Sequence, residues 1–376
     1  MVKPELTRIS VLILALCVLL GSCHKKEREV TPEEVEDLVV LSDRTQICRD
    51  KADSLLTTMT LEERVGQCFM PSIYASSDAS TLSLYKKYID DYHIGGIVLL
   101  KGNLSSAKEL AELGHDAKIP LFIAIDAEWG LGMRLEDAPT YPKNGNIGKD
   151  AEDTELFDYG LKIAGECREV GINMVLGPVV DITNFNRGVI GKRSFGDNPK
   201  IVSDFGVAYA KGLESGGVIS VAKHFPGHGS TVVDTHKGVA RVKRDISALD
   251  SIDLKPFKDY VNVGLTGIMA GHIQSLALDP DGNAATVSMD MLTSLLREEM
   301  GFGGLVLTDA FDMGGAKGFL AEEALKAGAD LILSPSKIDK EYQRLLESLK
   351  NGELEVSVIN ERCGRILFYK YLFNLL

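Results

Sequence analysis

The chain has 376 residues, 45% of them hydrophobic and 25% charged, with a formal net charge of −13. That apolar content excludes a disordered chain, and 37 Gly and 12 Pro without a repeating period exclude a collagen-like or low-complexity one. The acidic balance argues against a nucleic-acid partner, because neutralising phosphates needs surplus Lys and Arg.

Lys3 and Arg8 open an apolar run, Ile9 to Leu20, broken only by Ser10. The run is short for a membrane span of about 20 residues but suits a signal-peptide core. It ends in Leu20-Gly21-Ser22-Cys23, which resembles a bacterial lipobox. This predicts a lipoprotein signal over 1–22, cleaved before Cys23, whose thiol then carries lipid and anchors the chain in the bacterial cell envelope. An ordinary cleaved signal or an uncleaved anchor is the alternative. Residues 23–45 read as a polar tether, and 46–376 as the folded domain. Beyond the leader, Cys48, Cys68, Cys167 and Cys363 form no CxxC pair, which argues against structural zinc. A Cys48–Cys363 disulfide stays open as an alternative to free thiols.

Short apolar runs then alternate with amphipathic stretches. Strands are predicted at 65–73, 94–100, 120–126, 172–182, 218–224, 267–274, 304–309 and 330–335. Their apolar residues are continuous rather than alternating, the mark of strands buried on both faces. Helices are predicted at 80–91, 105–117, 152–170, 200–216, 246–264, 289–300 and 316–328, with closing helices over 340–376 and a turn at Asn351-Gly352. Strands and helices of this number and order predict a single α/β domain, a (β/α)8 TIM-type barrel. An open doubly wound sheet is the alternative, weakened because no GxGxxG follows the first strand and no GxxxxGK[ST] occurs.

In such a barrel ligands meet the C-terminal ends of the strands. Asp126, Asp181, Lys223, His224, His272 and Asp309 all fall at or near those ends. Any one of them could simply cap a helix or sit in the core, but their convergence on one rim predicts a pocket. The densest stretch is 223–236, KHFPGHGSTVVDTH. Asp234 and His236 stand two apart, so an extended segment puts both on one face. A carboxylate beside an imidazole suits a general acid/base near neutral pH. Zinc ligation by His228, Asp234 and His236 is the rival reading, but no HExxH or other metal spacing supports it. The second stretch, 304–316, carries Asp309 after a buried strand, where a carboxylate can act as nucleophile or electrostatic partner.

With these stretches in hand, the chain resembles glycoside hydrolase family 3, in particular its single-domain β-N-acetylglucosaminidase branch. The resemblance spans 50 to about 340. It rests on MTLEERVGQ at 59–67, AIDAE at 124–128, KRSFG at 192–196, KHFPGHG at 223–229 followed after four residues by Asp234-Thr235-His236, and Thr308-Asp309. It implies that Asp309 is the nucleophile of a covalent glycosyl-enzyme and His236 the acid/base, polarised by Asp234. Asp126, Arg134, Arg193, Lys223 and His224 would bind the sugar. The implied activity is retaining, exo-acting hydrolysis of terminal N-acetyl-β-glucosaminyl residues from peptidoglycan fragments or glycans, with no cofactor or metal. A phosphorylase, a glucosidase or xylosidase of the same family, and a catalytically dead sugar-binding lipoprotein are the alternatives. The chain departs from the family's pattern at Trp129-Gly130-Leu131, where Trp129 is either a stacking platform or core.

Overall fold

A computed structural model describes residues 32–147, 151–183, 189–231 and 238–376. Two compact units divide the chain, Met1–Lys51 and Ala52–Leu376. The signal segment 1–22 and Cys23 lie outside the described residues. Helix α1 runs Pro32–Thr58, so the end of the stretch assigned to a polar tether is helix. It contains no Gly, and Pro32 stands in its first turn, where a missing N–H costs nothing. Glu and Leu favour a helix whatever their polarity, which a reading by charge alone overlooks.

The second unit takes in the end of α1 and continues with α2 (Leu61–Gln67). The Thr60 side chain accepts from the Glu63 N–H at 3.2 Å and the Glu63 carboxylate from the Thr60 N–H at 2.9 Å, a reciprocal cap. This helix takes the first residues of the strand predicted at 65–73. The strands are β1 (Phe69–Met70), β2 (Ser72–Ala75), β3 (Gly96–Gly102), β4 (Phe122–Ile125), β5 (Met174–Val175), β6 (Ile219–Phe225), β7 (Ala240–Arg241), β8 (Gly267–Ala270), β9 (Ile273–Gln274), β10 (Leu305–Thr308) and β11 (Ile332–Leu333). Seven of them form one parallel sheet in the order β10-β8-β6-β5-β4-β3-β2. The sheet curls into a TIM-like form. A parallel bridge joins Leu307 to Leu331, and Phe69 and Met70 pair with Ile332 and Leu333. Every residue of β4, β6, β8 and β10 is buried, as the unbroken apolar runs require. β7 and β9 pair separately.

The helices between strands are α3 (Ala79–Tyr92), α4 (Leu104–His115), α5 (Asp153–Val170), α6 (Pro199–Ser215), α7 (Lys255–Asn262) and α8 (Ala321–Ala327), followed by α9 (Ile338–Asn351) and α10 (Val356–Leu372). Asp78, Asn103 and Asn198 cap α3, α4 and α6. Gly352 ends α9 at φ 77°, a left-handed angle that Gly adopts without strain, so the predicted turn separates the last two helices. Where helices were expected at 246–264 and 289–300, part of the chain winds more widely: Leu249–Asp253 and Asp290–Glu299 are π-helical. Cys48, Cys68, Cys167 and Cys363 are buried free thiols, so the Cys48–Cys363 bridge is not formed. Among the described residues no helix is long and apolar enough to cross a membrane.

Candidate active site

Charged side chains gather where the parallel strands end. Asp126 directly follows β4, and Lys223 comes from the buried central strand β6. Lys223 Nζ donates to Asp126 Oδ1 at 2.7 Å, while Arg134 donates to Asp126 Oδ2. Glu128, two residues further on, is fully buried. Arg193, closing the 3₁₀ turn Gly191–Arg193, grips Glu128 with Nη2 at 2.6 Å from Oε1 and Nε at 3.0 Å from Oε2. Lys223 Nζ also lies 2.9 Å from Glu128 Oε1, so one ammonium ties both acids together. Burial opposes ionisation of these acids. The charges of Lys223 and Arg134 on Asp126, and of Lys223 and Arg193 on Glu128, outweigh it and hold both carboxyls below their ordinary range. Burial likewise pulls Lys223 down, but Asp126 and Glu128 prevail and raise it.

A second set sits beside it. Asp181 is buried beyond β5. Its Oδ2 accepts from His224 Nδ1 at 2.8 Å and its Oδ1 from the His228 N–H at 2.6 Å. A carboxylate only accepts, so Nδ1 carries the His224 proton and Nε2 is left for a ligand. The glycines of KHFPGHG are required by shape. Gly227 holds φ 126°, and a Cβ on Gly229 would lie 2.0 Å from the Ile182 carbonyl oxygen. The Thr231 hydroxyl donates to the His228 carbonyl at 2.9 Å and accepts from Nδ1 at 2.7 Å. Among the described residues His228 Nε2 has no hydrogen-bond partner and stands as a buried acceptor. Burial lowers the His228 pKa, against the opposing charge of Asp181, so the ring is neutral near pH 7.

Asp309 follows β10. Its N–H donates to the Ala270 carbonyl at 2.8 Å, and its Oδ1 accepts from the Ala310 N–H at 2.8 Å. Burial raises its carboxyl, but His224, His272, the Ala310 N–H and Lys223 together hold it below the ordinary value. His272 Nε2 donates to the Ala310 carbonyl at 3.0 Å, steadying the turn after Asp309. The result is a carboxylate favoured in its ionised form near the Lys223 ammonium, with groups suited to hydroxyls around it.

The structure thus brings Asp126, Arg134, Arg193 and Lys223 into one network, with His224 next to Lys223 in the chain and both among the groups that hold the Asp309 carboxyl down. Asp234 and His236 lie outside the described residues. Among the described residues, no group of His, Cys, Asp and Glu is arranged to hold a metal ion. Sequence reasoning left Glu128 without a role. Its place two residues after Asp126 was visible, but not the burial that makes it the partner of two cations. Trp129 is half-buried with Lys143 Nζ 5.2 Å from its ring centroid.

The curled parallel sheet and its charge-lined edge define a TIM-like α/β protein with a built polar site at the strand ends. More narrowly, the chain belongs to glycosyl hydrolase family 3. Residues 60–368 match the model of the family's N-terminal domain. Beta-hexosaminidase A of Pseudoalteromonas piscicida is 35% identical over 318 residues, covering 74% of this chain and 53% of its own length. A beta-hexosaminidase of Nitrosomonas eutropha is 34% identical over 273 residues, covering 68% of this chain and 78% of the relative. A solved family 3 beta-N-acetylglucosaminidase from Paenibacillus sp. superposes with a TM-score of 0.78 at 30% identity, over 85% of this chain and 63% of that one. The chain therefore spans about half the length of the first relative and under two thirds of that solved structure.

Proposed function

We propose that this chain is a retaining, exo-acting β-N-acetylglucosaminidase, built on a complete (β/α)8 barrel. Asp309 carries the reading, as a carboxylate held ionised at the end of β10 by surrounding positive charge. In the first step Asp309 attacks the anomeric carbon and the glycosidic C–O bond breaks. His236, oriented by Asp234, gives its proton to the leaving oxygen. In the second step His236 takes a proton from water, whose oxygen attacks the same carbon and frees Asp309. Asp126, Lys223, Arg193, Arg134 and His224 hold the sugar's hydroxyl and acetamido groups. The names of the relatives favour an N-acetylhexosaminide over a plain glucoside. The substrate class is N-acetylglucosamine-containing glycan or peptidoglycan fragments, met in the bacterial envelope by a chain anchored through lipid on Cys23.

Hydrolysis of p-nitrophenyl N-acetyl-β-glucosaminide by the purified chain, beside the β-glucoside and with and without phosphate, tests this. Release of free N-acetylglucosamine without phosphate, lost in Asp309→Ala, is expected. A requirement for phosphate, or full activity of Asp309→Ala, would overturn it.

A further inference from the structure

Asn144 opens the 3₁₀ turn Asn144–Asn146 and is 1% exposed. Its Nδ2 donates to the Arg193 carbonyl at 2.8 Å. A carbonyl only accepts, which fixes the orientation of the amide and turns Oδ1 the other way. Among the described residues Oδ1 has no hydrogen-bond partner. Burying an amide with its acceptor unused is costly. A position that needed only volume would be better filled by an apolar side chain.

What the amide holds gives it a purpose. The Arg193 N–H donates to the Ile190 carbonyl at 2.9 Å, and Asn144 takes the carbonyl at the other side of the same residue. Lys192 Nζ donates to Asn146 Oδ1 at 2.8 Å, so two side chains join the turn at 144–146 to the turn at 191–193. The segment 141–146 also reaches the other half of the Arg193–Glu128 pair. Lys143 Nζ lies 5.2 Å from the ring centroid of Trp129, the residue after Glu128. Gly130 holds φ 95°, and a Cβ there would sit 2.5 Å from Tyr141 Cδ2. One short segment therefore spans from the turn after Glu128 to the turn that carries Arg193. The Arg193 guanidinium commits Nε and Nη2 to Glu128. Its donor count leaves Nη1 for a ligand.

We infer that Asn144 is a positioning residue, a clamp on the Arg193 main chain that lets the guanidinium grip Glu128 and present Nη1 to the sugar. This rests on the proposed role of Arg193 in holding the sugar. Asn144 acts through Arg193, so its effect depends on the guanidinium it aims.

The test uses the full chain as wild type, Asn144→Ala, Arg193→Gln and the double variant. Two quantities are read: the Kd for N-acetylglucosamine by calorimetry, and kcat/KM on p-nitrophenyl N-acetyl-β-glucosaminide. Asn144→Ala should worsen both by about tenfold or more, a loss that misplacing a binding group by about 1 Å can produce. In the Arg193→Gln background, where no guanidinium is left to aim, it should cost less than about twofold further. Equal loss in both backgrounds, the mark of a merely structural role, would overturn the inference. The Arg193 Nε–H resonance, identified by its absence in Arg193→Gln, should exchange with solvent faster in Asn144→Ala, and unchanged exchange would overturn the inference too. If Asn144→Ala fails to fold, Asn144→Asp, of the same shape but without the donating N–H, takes its place. Wild-type silence towards both sugar and substrate would instead refute the reading of the activity, while the exchange result would still judge the clamp.

Discussion

Lys370 lies at the opposite end of the sheet from the polar site, and replacing it with Met should stabilise the protein. It is fully buried on α10. Its Nζ donates to Gln67 Oε1 at 2.6 Å and lies 5.2 Å from the Phe122 ring centroid. Burial pulls its pKa from 10.5 down to about 7. That displacement corresponds to about 5 kcal/mol, at about 1.4 kcal/mol per unit. The sign follows from proton binding. Between pH 7 and 10.5 the unfolded chain holds a proton that the folded chain has released, so stability rises with pH through that window. The full penalty stands below pH 7. Lys370→Met removes it but leaves the Gln67 oxygen unpartnered, at a cost of about 1–3 kcal/mol. The net expectation is a gain of about 2–4 kcal/mol at pH 6. Urea unfolding of both proteins at pH 6, 7.5 and 9 measures it, with the gap shrinking as pH rises. A variant less stable at pH 6, or a gap that ignores pH, would refute the reasoning.

Three other outcomes are expected. Glu128→Gln strips the shared negative partner from Arg193 and Lys223, and should cost about 3 kcal/mol of stability together with a fall in kcat/KM, read by thermal melts and steady-state rates. Gly229→Ala drives a Cβ to 2.0 Å from the Ile182 oxygen, so the variant should melt lower by a margin typical of overpacked backbone, about 3 kcal/mol. His236→Ala should slow glycosides of poorly acidic alcohols by about 100-fold or more while sparing dinitrophenyl substrates, which a leaving-group series reads directly.

The strand and helix order was legible because burial on both faces leaves continuous apolar runs, and those runs survive in β4, β6, β8 and β10. The Asn351-Gly352 turn was legible for a local reason of backbone angle. Helix α1 was not, because a polar, charge-rich segment resembles a tether even where it lacks Gly and is rich in helix-favouring residues. At the site, Asp126, Lys223, His224 and Asp309 announced themselves as charges after apolar strands. Glu128 and Asn144 did not. Their meaning lies in what surrounds them: residues 65 positions apart for Arg193 and Glu128, and for Asn144 a carbonyl 49 positions away that no spacing rule foretells. The two π-helical turns also left no trace in a 3.6-residue pattern.

The pairing of Phe69 with Ile332 has a kinetic side. Strands from nearly opposite ends of the described chain must meet before the sheet is complete, and closing so long a loop is slow. Until then β2 and β10 each keep one bare edge, the kind of edge that recruits another chain. Asp309 stands at the end of β10, and Thr308 before it is tied on its far side to Leu331 and Leu333. Catalytic competence should therefore return late in refolding, after most helical signal, and crowded refolding should lose yield to aggregation in that interval.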